Sequence, residues 1–383
     1  MLTDFDTVHD RKNTNSLKWG AYPPGVLPLW VADMDFRTAE PILKAMQDCI
    51  AHGIFGYESD LKELRNTFIE WVLNRYQWTI QSEEILFVPG VVTGLNLVAR
   101  ALTSCEEALI IQPPVYPPFF GVAKNSGLRL QQAQINVDRN LYYQMDFDGL
   151  RKSITPQSKI FILCNPHNPV GRVFQREELQ ELAKICIKNH LIILSDEIHC
   201  DLIYKGQQHI PIASIDKEIA RNTITFMAPS KTFNIAGLKC SMIIIQNPEL
   251  RKTIEQAKAG WVGTPTLLAM SAALAAYREG GEWLEDLIAY LQCNRDYLLY
   301  YLAQNIPQIQ MTNPQGTYLA WLNCSRLQLK QNAYEFFLNV SKVALSDGNI
   351  FGAGGKDFVR LNFGCPRSIL KKALERMKQS LER

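Results

Sequence analysis

Six side chains and one glycine turn, most of them just past short apolar runs, carry the chemical content of this sequence. Lys231 stands in Ala228-Pro-Ser-Lys-Thr-Phe-Asn-Ile-Ala-Gly-Leu238, a loop between the apolar runs Thr223–Phe226 and Met242–Ile245. A lysine there is either a solvated loop charge or an amine held in a cleft. In a cleft, desolvation lowers its pKa and frees it to form a Schiff base with an aldehyde. Asp196 follows the run Leu191–Leu194 and either caps the next helix or keeps a pyridine nitrogen protonated, making that ring an electron sink. Tyr116, beside Pro117-Pro118, is a core ring or one held to stack on a flat cofactor. Asn168, between Pro166 and Pro169, is a turn residue or an amide donor to a phenolate oxygen. His199, three residues past Asp196, would lie on its side of a helical first turn, or be a satisfied structural histidine. Arg360, inside Phe358-Val-Arg-Leu-Asn-Phe363, calls for a fixed anion, and an α-carboxylate offers bidentate geometry. Gly90-Val-Val-Thr-Gly94 opens a helix after a strand; its free backbone N–H groups suit a phosphate, or it is only a tight turn.

The elements that position these residues read as alternating strands and helices. Ile85–Val88, Ala108–Ile111, Lys159–Cys164 and Leu191–Leu194 are short apolar runs, and helices are expected over Val92–Leu102 and Arg176–Asn189. Such alternation implies α/β architecture: a large domain with a mostly parallel, doubly wound sheet buried on both faces. Past Gly263 come a long Ala-rich helix to about Tyr277, further helices, a strand over Thr317–Leu322 and a last helix Leu370–Leu381. These describe a smaller α+β domain. Residues 1–45 are expected as an arm and part of the small domain, 46–280 as the large domain and 281–383 as the small one. Before them, Glu40–His52 and Leu61–Tyr76 have helical spacing, separated by the Gly53–Gly56 break. In open α/β sheets ligands sit beyond the carboxyl ends of strands, which is where the candidate residues lie.

The totals narrow the choice. Lys and Arg number 40 against 38 Asp and Glu, a formal +2 with no basic stripe, so neither nucleic acid nor an anionic membrane is called for. Nine cysteines without a Cys-x-x-Cys pair suggest a reducing, cytoplasmic setting. The 6 histidines form no zinc pattern. The first residues are polar rather than a secretory signal, and no apolar run reaches the roughly 20 residues of a membrane span. Neither Gly-x-Gly-x-x-Gly nor a phosphate-binding Gly-x-x-x-x-Gly-Lys-Ser/Thr occurs, which disfavours a nicotinamide dehydrogenase.

Taken together and in order, Asn165-Pro-x-Asn-Pro-x-Gly-Arg172, Ser195-Asp-Glu-Ile-His199, Ser230-Lys-Thr-Phe-Asn234 and Arg360 resemble the fold-type I pyridoxal-phosphate (PLP) enzymes, the class I/II aminotransferases, across the whole chain. Leu29-Trp-Val-Ala-Asp-Met-Asp-Phe36, Val115-Tyr-Pro-Pro-Phe119, Asp196-Glu-Ile-His-Cys-Asp201, Gly237-Leu-Lys239 and Asn362-Phe-Gly-Cys-Pro-Arg367 are similar to the cystathionine β-lyase (C–S lyase) branch. The resemblance implies that Lys231 carries the internal aldimine and moves the Cα proton, and that Asp196 pairs with the ring nitrogen. It implies that Asn168 and His199 approach the ring hydroxyl and that Tyr116 stacks on the ring. Val91, Val92, Thr93, Ser230 and Lys239 would hold the phosphate; relatives often have arginine where Lys239 stands, so a fork becomes a point charge. Arg360, with Asn168 and the Ala32-Asp33 backbone, would take the substrate carboxylate. Tyr57 would reach the partner subunit's phosphate in a homodimer with composite sites. The implied activity is β-elimination of a thiol from cystathionine or a related cysteine conjugate, giving pyruvate and ammonia. Amino transfer from a small L-amino acid is the close alternative, and a PLP-fold regulatory protein with little turnover is the distant one.

Overall fold

A computed structural model describes residues 3–57 and 62–382. Seven strands build the main sheet: β1 (Ile85–Val88), β2 (Ala108–Ile111), β3 (Arg129–Gln132), β4 (Ser158–Cys164), β5 (Ile192–Asp196), β6 (Thr223–Met227) and β7 (Ser241–Ile245). Their spatial order is β1-β7-β6-β5-β4-β2-β3. Only β7 runs antiparallel to its neighbours; all other pairings are parallel. The runs are short and rich in β-branched residues because both faces are covered. On one face Ile111, Ile162, Leu194, Ile224 and Ile243 pack under α3 (Val91–Leu102) and α4 (Pro118–Ser126). On the other, Phe161, Leu163 and Ile193 meet Leu179, Leu182 and Cys186 of α5 (Arg176–Lys188).

Helices α1 (Glu40–His52) and α2 (Lys62–Tyr76) pack with the Ala-rich α7 (Leu267–Glu279), and α8 (Gly281–Asn305) follows. Leu61, expected to start the second of these helices, lies outside the described residues. A short turn of helix, α6 (Pro229–Thr232), carries the lysine. A four-stranded antiparallel sheet, β8 (Gln310–Met311), β9 (Leu319–Asn323), β10 (Ser346–Asp347) and β11 (Phe358–Asn362), runs in the order β8-β9-β11-β10 against α9 (Arg367–Leu381). The mixed α/β architecture with a mostly parallel central sheet is as the residue pattern implied. The N-terminal polar stretch is more than an arm. Leu27–Pro28 pairs in parallel with Val343–Ala344, and Lys18 is completely buried against the Asp35 carboxylate and the Asp33 carbonyl.

Two glycines set the sheet's working edge. A Cβ on Gly94 would lie 3.1 Å from the Ile243 and Phe226 side chains, so glycine lets α3 sit directly on β6 and β7. Gly90, at φ 123°, turns the chain from β1 into α3 in a conformation that an L side chain resists.

Candidate active site

The strand ends converge. Along the ladder Cys164, Asp196 and Phe226 lie side by side at the ends of β4, β5 and β6, and Lys231 follows β6 within five residues. Proline at the first position of α6 starts the turn, and the Phe233 N–H closing onto the Pro229 carbonyl ends it, so the lysine is presented on a backbone with little freedom.

Lys231 Nζ donates to the Ala32 carbonyl at 2.6 Å. Its pKa is pushed down to about 8, chiefly by burial; Asp33 opposes this, Arg360 adds to it and Asp196 opposes it. Asp196 is buried, and burial raises its carboxyl to about 7 against the Ile198 N–H bond at 3.1 Å; Glu197 raises it further and Lys231 lowers it. That bond belongs to a turn rather than to a helix cap: residues 198–201 form turns, so the helical first turn expected to carry His199 is absent. His199 is nevertheless buried nearby, and burial, then the Lys231 and Arg360 charges, hold its imidazole down at about 3. It is neutral at pH 7, with Nδ1 buried and unpartnered.

Arg360 enters from β11. Its guanidinium donates to Asn168 Oδ1 (2.9 Å), the Trp30 carbonyl (2.9 Å) and Ser346 Oγ (3.2 Å), leaving Nε buried and unpaired. Every acceptor is neutral, and burial drives the pKa down to about 10. A buried cation without a carboxylate partner is costly, and an incoming anion would relieve that cost. Tyr116 lies within electrostatic reach of both Asp196 and Arg360; its hydroxyl pKa is raised, mainly by burial.

The segment Val31–Phe36, which carries the Ala32 carbonyl, is held on all sides. Asn362 Nδ2 donates to Val31 O (2.7 Å) and Asp33 O (2.8 Å). Asn234 accepts from Met34 N–H (3.1 Å) and donates to Met34 O (3.0 Å) and Phe36 O (2.8 Å). Arg11 bridges Asp33 and Asp35, at 2.8 Å to each. Val31–Phe36, Arg11 and Asn234 line a cavity of about 710 Å³ together with Lys231, Gly237 and Lys239.

Lys231, Asp196, Asn168, Tyr116, His199, Arg360, Ala32 and Asp33 are thus brought together, with Ser230 beside the lysine and Lys239 at the cavity mouth. Val91, Val92 and Thr93 form the first turn of α3, which no side chain caps, so N–H groups there are open to an anion. Val92 and Thr93 line a second cavity, with Arg100 and Trp261, rather than the one Lys231 opens into. Tyr57 is fully exposed and is not brought to this chain's own site. Sequence reasoning assigned no role to Arg11, Lys18, Thr232 or Ser346. Asn234, Asn362 and Asp201 stood inside the quoted motifs without one.

An amine with a lowered pKa, a buried carboxylate within its electrostatic reach, a half-buried phenol and an uncompensated guanidinium can together hold a flat aldehyde ring and an amino acid. Comparison with known proteins agrees. The sequence matches the family "Aminotransferase class I and II" over residues 24–377. Cystathionine beta-lyase PatB of Bacillus subtilis is 38% identical, the alignment covering 99% of this chain and 100% of PatB. Cystalysin from Treponema denticola, solved with pyridoxal 5'-phosphate, is 36% identical with a TM-score of 0.96, covering 100% and 99% of the two chains. The PLP-bound C-S lyase from Staphylococcus hominis is 34% identical with a TM-score of 0.94, covering 99% of each. The chain belongs to the class I and II aminotransferase family.

Proposed function

We propose that the protein is a PLP-dependent carbon–sulfur β-lyase acting on cystathionine or a related cysteine S-conjugate. The observation that carries this is Lys231: a pKa of about 8, an Ala32 carbonyl on Nζ, and Asp196 and Arg360 within electrostatic reach. The residues fit pyridoxal phosphate. Buried Asp196 would face a ring nitrogen, Asn168 and the unpartnered Nδ1 edge of His199 a ring hydroxyl, Tyr116 a ring face, and the uncapped first turn of α3 with Ser230 and Lys239 a phosphate. When bound, the cofactor supplies an aldehyde and an electron sink. The chain does the rest. Arg360, Asn168 and the Ala32-Asp33 backbone orient the α-carboxylate. The Lys231 amine takes the proton from Cα, and the Asp196 carboxylate would pair with the ring nitrogen and favour its protonated form. A thiolate then leaves Cβ, and hydrolysis yields pyruvate and ammonia. Residues 46–280 would hold the cofactor, with 281–383 and 1–45 closing over it.

The test is to incubate the purified protein with cystathionine and follow pyruvate, thiol and ammonia, beside amino transfer to 2-oxoglutarate. Stoichiometric pyruvate and thiol are expected; transfer as the dominant reaction would replace this reading with an aminotransferase.

The same reading makes the protein a cytoplasmic homodimer with composite sites. No helix among the described residues is long and apolar enough to cross a membrane, and all nine cysteines are free. Ile54, Phe55 and Tyr57 form a run that is exposed among the described residues, which supports a second copy seated there. Mixing inactive Lys231→Ala subunits with impaired Tyr57→Phe subunits should restore activity in the heterodimer, because one of its sites combines an intact lysine with an intact tyrosine. No recovery after verified subunit exchange would place Tyr57 in its own subunit's site or in none.

A further inference from the structure

Asp201 lies five residues past Asp196 and is buried. One carboxylate oxygen accepts from Thr232 Oγ1 at 2.8 Å. The other accepts from Trp71 Nε1 at 3.1 Å, Arg75 Nε at 3.0 Å and the Tyr76 hydroxyl. Arg75 also donates to the Asp201 carbonyl at 3.1 Å. Thr232 is completely buried and adjoins Lys231 in α6. Trp71 packs against Phe233, the residue that closes α6, with ring centroids 5.9 Å apart.

Three pieces of the molecule therefore meet at one carboxylate: the segment that continues from Asp196 through His199, the turn that presents Lys231, and the last turn of α2. The Lys231 amine must keep to an Ala32 carbonyl in a segment that Asn234, three residues on, holds through Met34 and Phe36, so the turn is fixed on that side and needs an anchor at the strand ends. The backbone hydrogen bond that closes α6 does not fix how the turn sits on the strand ends. The Thr232–Asp201 bond ties it to the segment that leaves β5.

We infer that Asp201 is a positioning residue for Lys231, acting through the Thr232 hydroxyl. This rests on the reading of Lys231 as the cofactor lysine. A purely structural Asp201 would serve only the half-buried Arg75 charge, Trp71 and Tyr76, and would be indifferent to Thr232. The two roles separate at Thr232, because its replacement leaves the Arg75, Trp71 and Tyr76 bonds to Asp201 in place.

The test compares Thr232→Val, which keeps the volume and loses the donor, with Thr232→Ser, which keeps the donor and loses a methyl group. Both are made in the full-length holoenzyme. For Thr232→Val, kcat should fall about tenfold to a hundredfold with KM near that of the parent, as expected for a misplaced reacting group. In Thr232→Ser kcat should stay within about threefold of the parent, since the hydroxyl is retained. A second readout needs no turnover: hydroxylamine should strip pyridoxal phosphate faster from Thr232→Val than from the parent, with Thr232→Ser resembling the parent. If the valine variant does not fold, Thr232→Ala asks the same question. A parental kcat and stripping rate in the donor-less variant would overturn the inference, as would a serine variant that falls as far as the valine one. A parent that binds no pyridoxal phosphate would overturn the cofactor reading itself, a different result from a coloured parent insensitive at position 232.

Discussion

Lys231→Ala protein should lose β-elimination by about 10^4-fold or more, because one side chain is both the attachment point for the cofactor and the base for the Cα proton. The expectation follows from its environment. A lysine at its ordinary pKa of 10.5 exposes a free amine in only about one molecule in three thousand at pH 7, whereas at about 8 the fraction is about one in ten. The structure thus raises the reactive population by a factor of roughly 300 without moving an atom. Burial is the first cause of the drop, and Arg360 the second that acts in the same direction. The sign yields a further expectation for the parent. Uptake of pyridoxal phosphate by cofactor-free protein should accelerate about tenfold per pH unit below 8 and level off above it, read by the growth of visible absorbance. Borohydride should fix the cofactor to the peptide containing Lys231 and to no peptide of the alanine variant. An alanine variant keeping more than about one percent of the elimination rate would remove Lys231 from both roles, since loss of a general base alone costs about 10^2-fold or more.

The strands could be read from sequence because a parallel sheet buried on both faces leaves a period-free apolar run, and Ile85–Val88 and Ala108–Ile111 are bounded in the structure as in the pattern. The strand Arg129–Gln132 could not be read that way: it is an edge strand, polar except for Leu130 and paired with β2 alone. The short helix at Lys231 was hidden for a different reason. Four residues give no periodicity, and only proline at its first position marks it. Lys231, Asp196 and Arg360 stood out because charge next to an apolar run is chemically unusual. The supports of the site had no such mark. Arg11 and Lys18 fall in a stretch whose polarity suggests solvent, yet they are buried or half-buried because Asp33 and Asp35 await them across the fold. Long-range pairs of this kind are written in no local spacing. The asparagines 234 and 362 act through main-chain carbonyls and N–H groups that any residue supplies, so their partners could not be named before the chain was folded.

Asp196→Asn should cost about 10^3-fold in Cα-proton exchange while making the cofactor-free protein hold up better as pH rises. The catalytic loss is that of one buried charge aimed where positive charge must be kept, a position whose removal elsewhere costs on the order of 10^2–10^3-fold. Asparagine keeps the shape and can still accept from the Ile198 N–H, so the change isolates the charge. The stability effect follows from the raised pKa. In the folded chain the carboxyl titrates at about 7, and unfolded at 3.8, so between those values the folded protein binds a proton that the unfolded one does not. Stability contributed by this group therefore falls as pH rises through the window, and the deficit is complete above about 7. Between pH 5 and pH 8 the parent should lose about 2–3 kcal/mol relative to the asparagine variant, a shift of a few degrees in their melting-temperature difference. Any packing penalty of the amide is constant over that range and cancels. Adding pyridoxal phosphate should reverse the order, since a cationic ring nitrogen gives the aspartate the partner it lacks and asparagine cannot answer with a charge. A melting difference that stays flat from pH 5 to pH 8 would show that Asp196 is already ionised in the empty pocket. Near-parental Cα exchange in the variant would show that the ring needs no carboxylate here.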